Sequence, residues 1–168
     1  MGYIEHKNDM SVPLKVMVIT ISDTRDEYTD KSGQLMMELL QREHFEVAEY
    51  IIVKDEKKDI EAALLRGCHN QQIDVILTNG GTGLAGRDVT VEVIEKLINQ
   101  PIPGYGELFR MLSYEEIGSA AMLSRATAGI ANGTVIFSTP GSTGAVKLAM
   151  EKLIMPELRH IVREIRKS

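Results

Sequence analysis

Apolar residues along this chain fall into two alternating patterns, short continuous runs and spacings of three and four. Leu14 to Ile21 reads LKVMVITI, an apolar, β-branched run that predicts a strand buried on both faces of a parallel sheet. Ser22-Asp23-Thr24-Arg25-Asp26 ends it in loop chemistry. Leu35, Met36, Leu39 and Leu40 then recur at helical spacing, with Asp30 or Ser32 placed to cap the helix. Phe45 to Val53 predicts a second strand, whose imperfect alternation suits a sheet edge. Glu56 to about Asn70 predicts a second helix, with Ile60, Ala63, Leu64 and Cys68 facing inward. Ile73 to Leu77 predicts a third strand that ends at Thr78.

A glycine loop follows, and Thr90 is placed to cap a third helix carrying Val91, Val93, Ile94, Leu97 and Ile98. Pro101 and Pro103 break that helix. Gly104 to Ser113 and Ile117 to Thr127 both read as helical. Ala128-Gly129-Ile130 and Thr134 to Ser138 flank Asn132-Gly133, a dipeptide suited to the positive φ angles of a tight hairpin. Thr139-Pro140-Gly141-Ser142 leads into a helix with Val146, Leu148, Ala149 and Leu153 inward. Pro156 interrupts it and opens a last helix to Ile165. Strands alternating with helices predict a three-layer α/β/α sandwich, its central sheet mostly parallel, plus a small hairpin. Residues 1–12 are polar and read as a mobile tail, and residues 13–168 as one domain.

Composition narrows the function classes. The chain has 168 residues and a formal net charge of −5, so a basic nucleic-acid footprint is not expected. No apolar run reaches the roughly 20 residues of a membrane span, and the N-terminus lacks a signal-peptide core. The single cysteine, Cys68, allows no intrachain disulfide and fits a reducing, cytoplasmic setting; in its helical context it reads as a packing thiol. His6, His44, His69 and His160 are scattered and have no zinc-ligand spacing. An acidic chain binds an anionic substrate through local devices: glycine loops, helix N-termini, single cations or a divalent metal.

Such devices gather where strands end, which is where open α/β sheets bind ligands. Thr78-Asn79-Gly80-Gly81-Thr82-Gly83 places three glycines within four residues, so the backbone can turn several N–H groups toward one phosphate. Thr82 and Thr90 add hydroxyls, and Asp88 reads either as a helix cap or as a carboxylate for magnesium. Arg87 either pairs with phosphate or covers the surface, and Asp55 is either a cap or a catalytic carboxylate. Pro140-Gly141-Ser142 opens a helix and forms a second anion-site candidate, with Lys147 nearby. Gly81-x-Gly83-x-x-Gly86 spells a dinucleotide fingerprint, but it follows the third strand and no helix opens directly from it. A nucleotide-dependent oxidoreductase is therefore a minor alternative. The chain has no P-loop pattern and no Gly-x-Ser-x-Gly elbow, so phosphate loops beside carboxylates point to phosphoryl or nucleotidyl transfer.

Thr78-x-Gly80-Gly81-Thr82-Gly83 followed by Arg87-Asp88-Val89-Thr90 resembles the signature of the molybdopterin-binding family of molybdenum cofactor biosynthesis proteins. Ser22-Asp23-Thr24, Asp30-Lys31-x-Gly33, Pro103-Gly104-x-Gly106-Glu107, Leu123-Ser124-Arg125 and Pro140-Gly141-Ser142 extend the likeness in order from about Leu14 to the C-terminus. Asn79 departs from the threonine or serine common at its place. The resemblance implies a molybdopterin-binding fold and an adenylyltransferase that joins molybdopterin to AMP from ATP with Mg²⁺, releasing pyrophosphate. By the same likeness Asp55 and Asp88 are the catalytic carboxylates, Asp88 holding Mg²⁺. Ser22, Asp23, Thr78, Gly80, Gly81, Thr82, Gly83, Thr90, Pro140, Gly141 and Ser142 then form the pterin and nucleotide pocket. The family implies trimers or dimers of trimers, partners among other cofactor-biosynthesis proteins, and as an alternative a pterin-binding scaffold without turnover.

Overall fold

The computed structural model describes residues 14–167, and the expected N-terminal tail lies outside them. Its strands are β1 (Lys15–Ile21), β2 (Glu46–Val53), β3 (Val75–Asn79), β4 (Gln100–Pro101), β5 (Thr127–Ala131) and β6 (Thr134–Thr139). Its helices are α1 (Lys31–Arg42), α2 (Lys57–His69), α3 (Thr90–Leu97), α4 (Pro103–Ile117), α5 (Thr143–Ala149) and α6 (Met155–Arg166). The strands form one sheet in the order β2-β1-β3-β6-β5-β4. The first four are mutually parallel, while β5 and β4 add antiparallel edges. The expected sandwich is therefore present, with β2 at a sheet edge as its irregular pattern suggested.

The two-residue period of a strand explains the three layers. Val16 and Val18 of β1 point to one face, where they pack with Met36, Leu39 and Leu40 of α1, Phe109 of α4 and Leu158 of α6. Met17, Ile19 and Ile21 point to the other, against Ile60 and Leu64 of α2 and Ile94 of α3. Both faces are covered, so β1 and β3 carry apolar residues at consecutive positions, Val16 to Ile19 and Val75 to Leu77, rather than at every second one. The tight turn between β5 and β6 has Asn132 at φ 51° and Gly133 at φ 78°, as Asn-Gly predicts.

Four elements differ from the sequence reading. The third strand sits two residues later, at Val75–Asn79, because Asn70 to Asp74 turn the chain back: the Ile73 N–H bonds the Asn70 carbonyl. Thr90 is the first helical residue of α3 and does not cap it; Val89 holds the cap position with no side-chain bond. Ile117 to Thr127 is not an α-helix. One helix runs on to Ile117, Gly118 at φ 72° ends it, Gly118–Leu123 forms a tighter 3₁₀ stretch, and Thr127 already belongs to β5. Pro156 does not interrupt its helix. Met150–Ile154 widens into an i→i−5 turn, in which the Met155 N–H bonds the Met150 carbonyl, and α5 passes into α6 with helical angles throughout. A widened turn shifts the register that a proline ring would otherwise clash with.

Candidate functional site

The carboxyl ends of β1, β3 and β6 open on one side of the sheet, and their loops enclose a cleft of about 460 Å³. The Gly80–Gly83 turn, Asp55, Asp88, Ser22, Pro140 and Gly141 all line it. The two glycine turns touch: a Cβ built on Gly141 would lie 3.3 Å from the Gly80 Cα. Gly80 has φ 100° and Gly81 φ 71°, backbone that side-chain-bearing residues rarely adopt. This conformation lets the turn bend over the sheet end, where the Gly80 N–H bonds the Thr139 carbonyl at 3.0 Å.

An arginine outside the glycine motif fixes the rest of the loop. Arg125 donates to the carbonyls of Thr82 (3.3 Å), Gly83 (3.0 Å) and Asp88 (2.7 Å). It also pairs with Glu92 of α3, whose carboxyl this contact draws below its ordinary range. One guanidinium thus takes carbonyls at both ends of the Thr82–Asp88 loop, which no single carbonyl-to-amide bond could do.

The carboxylates stand on the rim of this turn. Asp88 folds back over Gly83, whose built Cβ would lie 3.0 Å from the Asp88 Oδ2. Asp55 comes in from the end of β2 over Gly81, where the corresponding distance to its Oδ1 is 3.4 Å. Burial, then the charges of Asp23 and Asp88, push the Asp55 carboxyl above its ordinary value. Asp23 lies outside the cleft wall: its Oδ1 accepts from the Asp55 N–H at 3.0 Å and its Oδ2 from Arg87 Nε at 2.8 Å. The Asp55 N–H, chiefly, holds the Asp23 carboxyl below its ordinary value. Arg87 also bonds Glu56 at 3.1 Å, so it ties the glycine loop to the ends of β1 and β2.

The remaining sequence candidates sit at different depths. Thr82 lines the cleft, whereas Thr78 and Thr90 are fully buried. Thr90 supports Gly81 from below; its N–H bonds the Gly81 carbonyl at 3.2 Å, and a Cβ on Gly81 would lie 2.0 Å from its hydroxyl. Ser142 caps α5 by accepting from the Ala145 N–H at 3.1 Å, which is the plain helix-cap role. Sequence reasoning missed Arg25, Ala120, Leu123 and Ser124, which also line the cleft. The last two belong to the Leu123-Ser124-Arg125 run, whose match to a family pattern was the available signal.

Two hard-oxygen carboxylates over one glycine turn suit Mg²⁺, which takes one or two protein carboxylates and fills its other positions with water and phosphate. Among the described residues no group of three or more His, Cys, Asp or Glu is arranged to hold a metal. No helix among the described residues is long and apolar enough to cross a membrane.

Residues 17–160 match the family described as "Probable molybdopterin binding domain". The chain is 56% identical over 169 aligned positions to molybdenum cofactor biosynthesis protein B of Bacillus subtilis (strain 168), covering 100% of this chain and 99% of that one. A crystal structure of molybdenum cofactor biosynthesis protein B superposes with a TM-score of 0.91 at 54% identity, covering 94% of this chain and 98% of that one. The tungsten cofactor synthesizing protein MoaB from Pyrococcus furiosus gives a TM-score of 0.83 at 42% identity, covering 92% and 98%.

Proposed function

The chain belongs to the molybdopterin-binding family of molybdenum cofactor biosynthesis proteins, and from that premise we propose that it adenylates the terminal phosphate of molybdopterin. A phosphate oxygen of the pterin attacks the α-phosphorus of ATP and forms a new P–O bond. The bond between the α-phosphorus and the α–β bridging oxygen breaks, and pyrophosphate leaves with the electron pair. What supports this reading is one observation: the Gly80–Gly83 turn, the Gly141 turn, Asp55 and Asp88 face a single cleft.

The chain's residues contribute positioning and charge rather than a nucleophile. The backbone of Gly80 and Gly81 admits phosphate oxygens close to the main chain, where a side chain would exclude them. Asp55 and Asp88 would hold Mg²⁺, which neutralises charge developing on the phosphates when it is bound. Asp23 and Arg87 keep the Asp55 segment and the glycine loop in register.

We read the assembly as a trimer or a dimer of trimers. Leu108, Met111, Tyr114, Ile117, Met122 and Leu123 stand exposed along α4 and the 3₁₀ stretch after it, and burial between subunits would take these large apolar side chains out of water. Adenylation is tested by incubating the purified protein with molybdopterin and Mg-ATP. Pyrophosphate is expected in step with adenylated pterin. Tight pterin binding with no pyrophosphate released would leave the scaffold reading in its place.

A further inference from the structure

We propose that Arg25 anchors the metal-free phosphate of the substrate, and that Asp30 and Asn79 are positioning residues that hold its guanidinium at the cleft wall. The inference rests on the adenylation reading and assigns a direction to the substrates within the cleft.

The cleft is polarised along its glycine turn. Asp55 and Asp88 stand over Gly81 and Gly83. At the other end, beside Gly80 and Gly141, stands Arg25, the only lysine or arginine on the cleft wall among the described residues. Its NH2 donates to the Gly141 carbonyl at 2.9 Å, and its side chain keeps 31% exposure. Of two phosphate groups entering together, the one carrying Mg²⁺ has its charge largely compensated and tolerates the acidic end. The other remains an uncompensated anion and is drawn to the guanidinium.

The guanidinium is built in. Asp30 is fully buried, and a buried carboxylate requires a cation and hydrogen-bond donors. Its Oδ1 lies 3.5 Å from Arg25 NH1 and accepts from the Gly33 N–H at 3.0 Å, while its Oδ2 accepts from the Tyr50 hydroxyl at 2.5 Å. Burial, first, and this carboxylate raise the Tyr50 phenol well above its ordinary range, so it stays a donor. The fully buried Asn79 accepts from Arg25 NH1 at 3.5 Å and donates to the Thr20 hydroxyl at 3.0 Å, which fixes its amide. Ser32 also donates to the Gly141 carbonyl, at 2.5 Å, so that carbonyl is held without relying on Arg25 alone. A role confined to stapling the Gly141 turn would duplicate what Ser32 does.

Equilibrium binding tests the assignment with two probes, inorganic phosphate without metal and Mg-ATP. Arg25→Gln is expected to weaken phosphate binding about tenfold or more and Mg-ATP binding less than about threefold. Arg25→Lys recovers part of the phosphate affinity, since it keeps the charge and loses the planar fork. Asp88→Asn is expected to show the reverse, losing Mg-ATP and retaining phosphate. Phosphate binding within about twofold of wild type in Arg25→Gln overturns the proposal, as does an equal loss of both probes or a wild-type protein that does not bind phosphate saturably. Should Arg25→Gln not melt cooperatively, Asn79→Thr decides: phosphate affinity falls about threefold with Mg-ATP unchanged, or the assignment is wrong. If the binding pattern holds in a protein that releases no pyrophosphate, the adenylation reading fails and the anchor stands.

Discussion

Gly80→Ala is expected to destabilise the protein by about 3 kcal/mol or more, a large share of an ordinary domain's stability. Two costs coincide at this residue. Its φ of 100° is a conformation that an L side chain avoids. The new Cβ would also stand 2.2 Å from the Ile21 carbonyl oxygen, a backbone atom at the carboxyl end of β1, which is paired on both sides by β2 and β3. A clash with the tip of a long side chain relaxes by a rotamer change, whereas this one requires β1 or β3 to move. Gly86→Ala in the same loop is the control, because nothing lies within 4 Å of its built Cβ. Urea unfolding of the two variants should give midpoints that differ clearly, with Gly86→Ala within about 0.5 kcal/mol of wild type. Equal midpoints would mean that the turn at Gly80 yields to a methyl group and does not depend on glycine for its shape.

The same geometry shows which parts of the molecule could be read from the sequence. The sheet was legible because burial on both faces demands apolar residues at consecutive positions, and Leu14 to Ile21 supplies them. The hairpin was legible because Asn-Gly suits positive φ at two consecutive residues. The glycine turn and its two carboxylates were legible as a cluster of unusual residue types near strand ends. The 3₁₀ stretch after α4 was not, since Gly118–Leu123 continues a helical composition and its end is set by the need to enter β5 beside β6. Arg25 and Arg125, though present in the motifs read from the sequence, were not marked as site residues for a related reason. Each makes a decisive contact across more than 30 positions of sequence, Arg25 to Gly141 and Arg125 to the Thr82–Asp88 loop, and no local spacing marks an arginine for such a task.

Asp88→Asn is expected to reduce adenylation by about 10³-fold while leaving the fold intact, and Asp55→Asn to do the same with a gain in stability. The two share a catalytic rationale. An amide occupies the volume of a carboxylate without its charge, so the acidic end of the cleft keeps only one of the two carboxylates proposed to hold Mg²⁺. They differ in what the charge costs the folded protein. Burial and the neighbouring charges of Asp23 and Asp88 raise the Asp55 carboxyl, so the native state binds its proton more tightly than the unfolded chain does. With a raised folded pKa, the stability linked to Asp55 is present below its unfolded pKa and is lost as pH rises through the folded one. At neutral pH the ionised Asp55 therefore opposes folding, and Asp55→Asn should melt at a higher temperature than wild type. That gain should shrink as the pH is lowered into the range where Asp55 takes up its proton. Thermal melts of wild type and Asp55→Asn across acidic and neutral pH check the sign, and steady-state turnover of the same samples checks the loss of activity. A variant that is both inactive and less stable at neutral pH would place Asp55 among the structural carboxylates, held by favourable contacts rather than kept charged for the reaction.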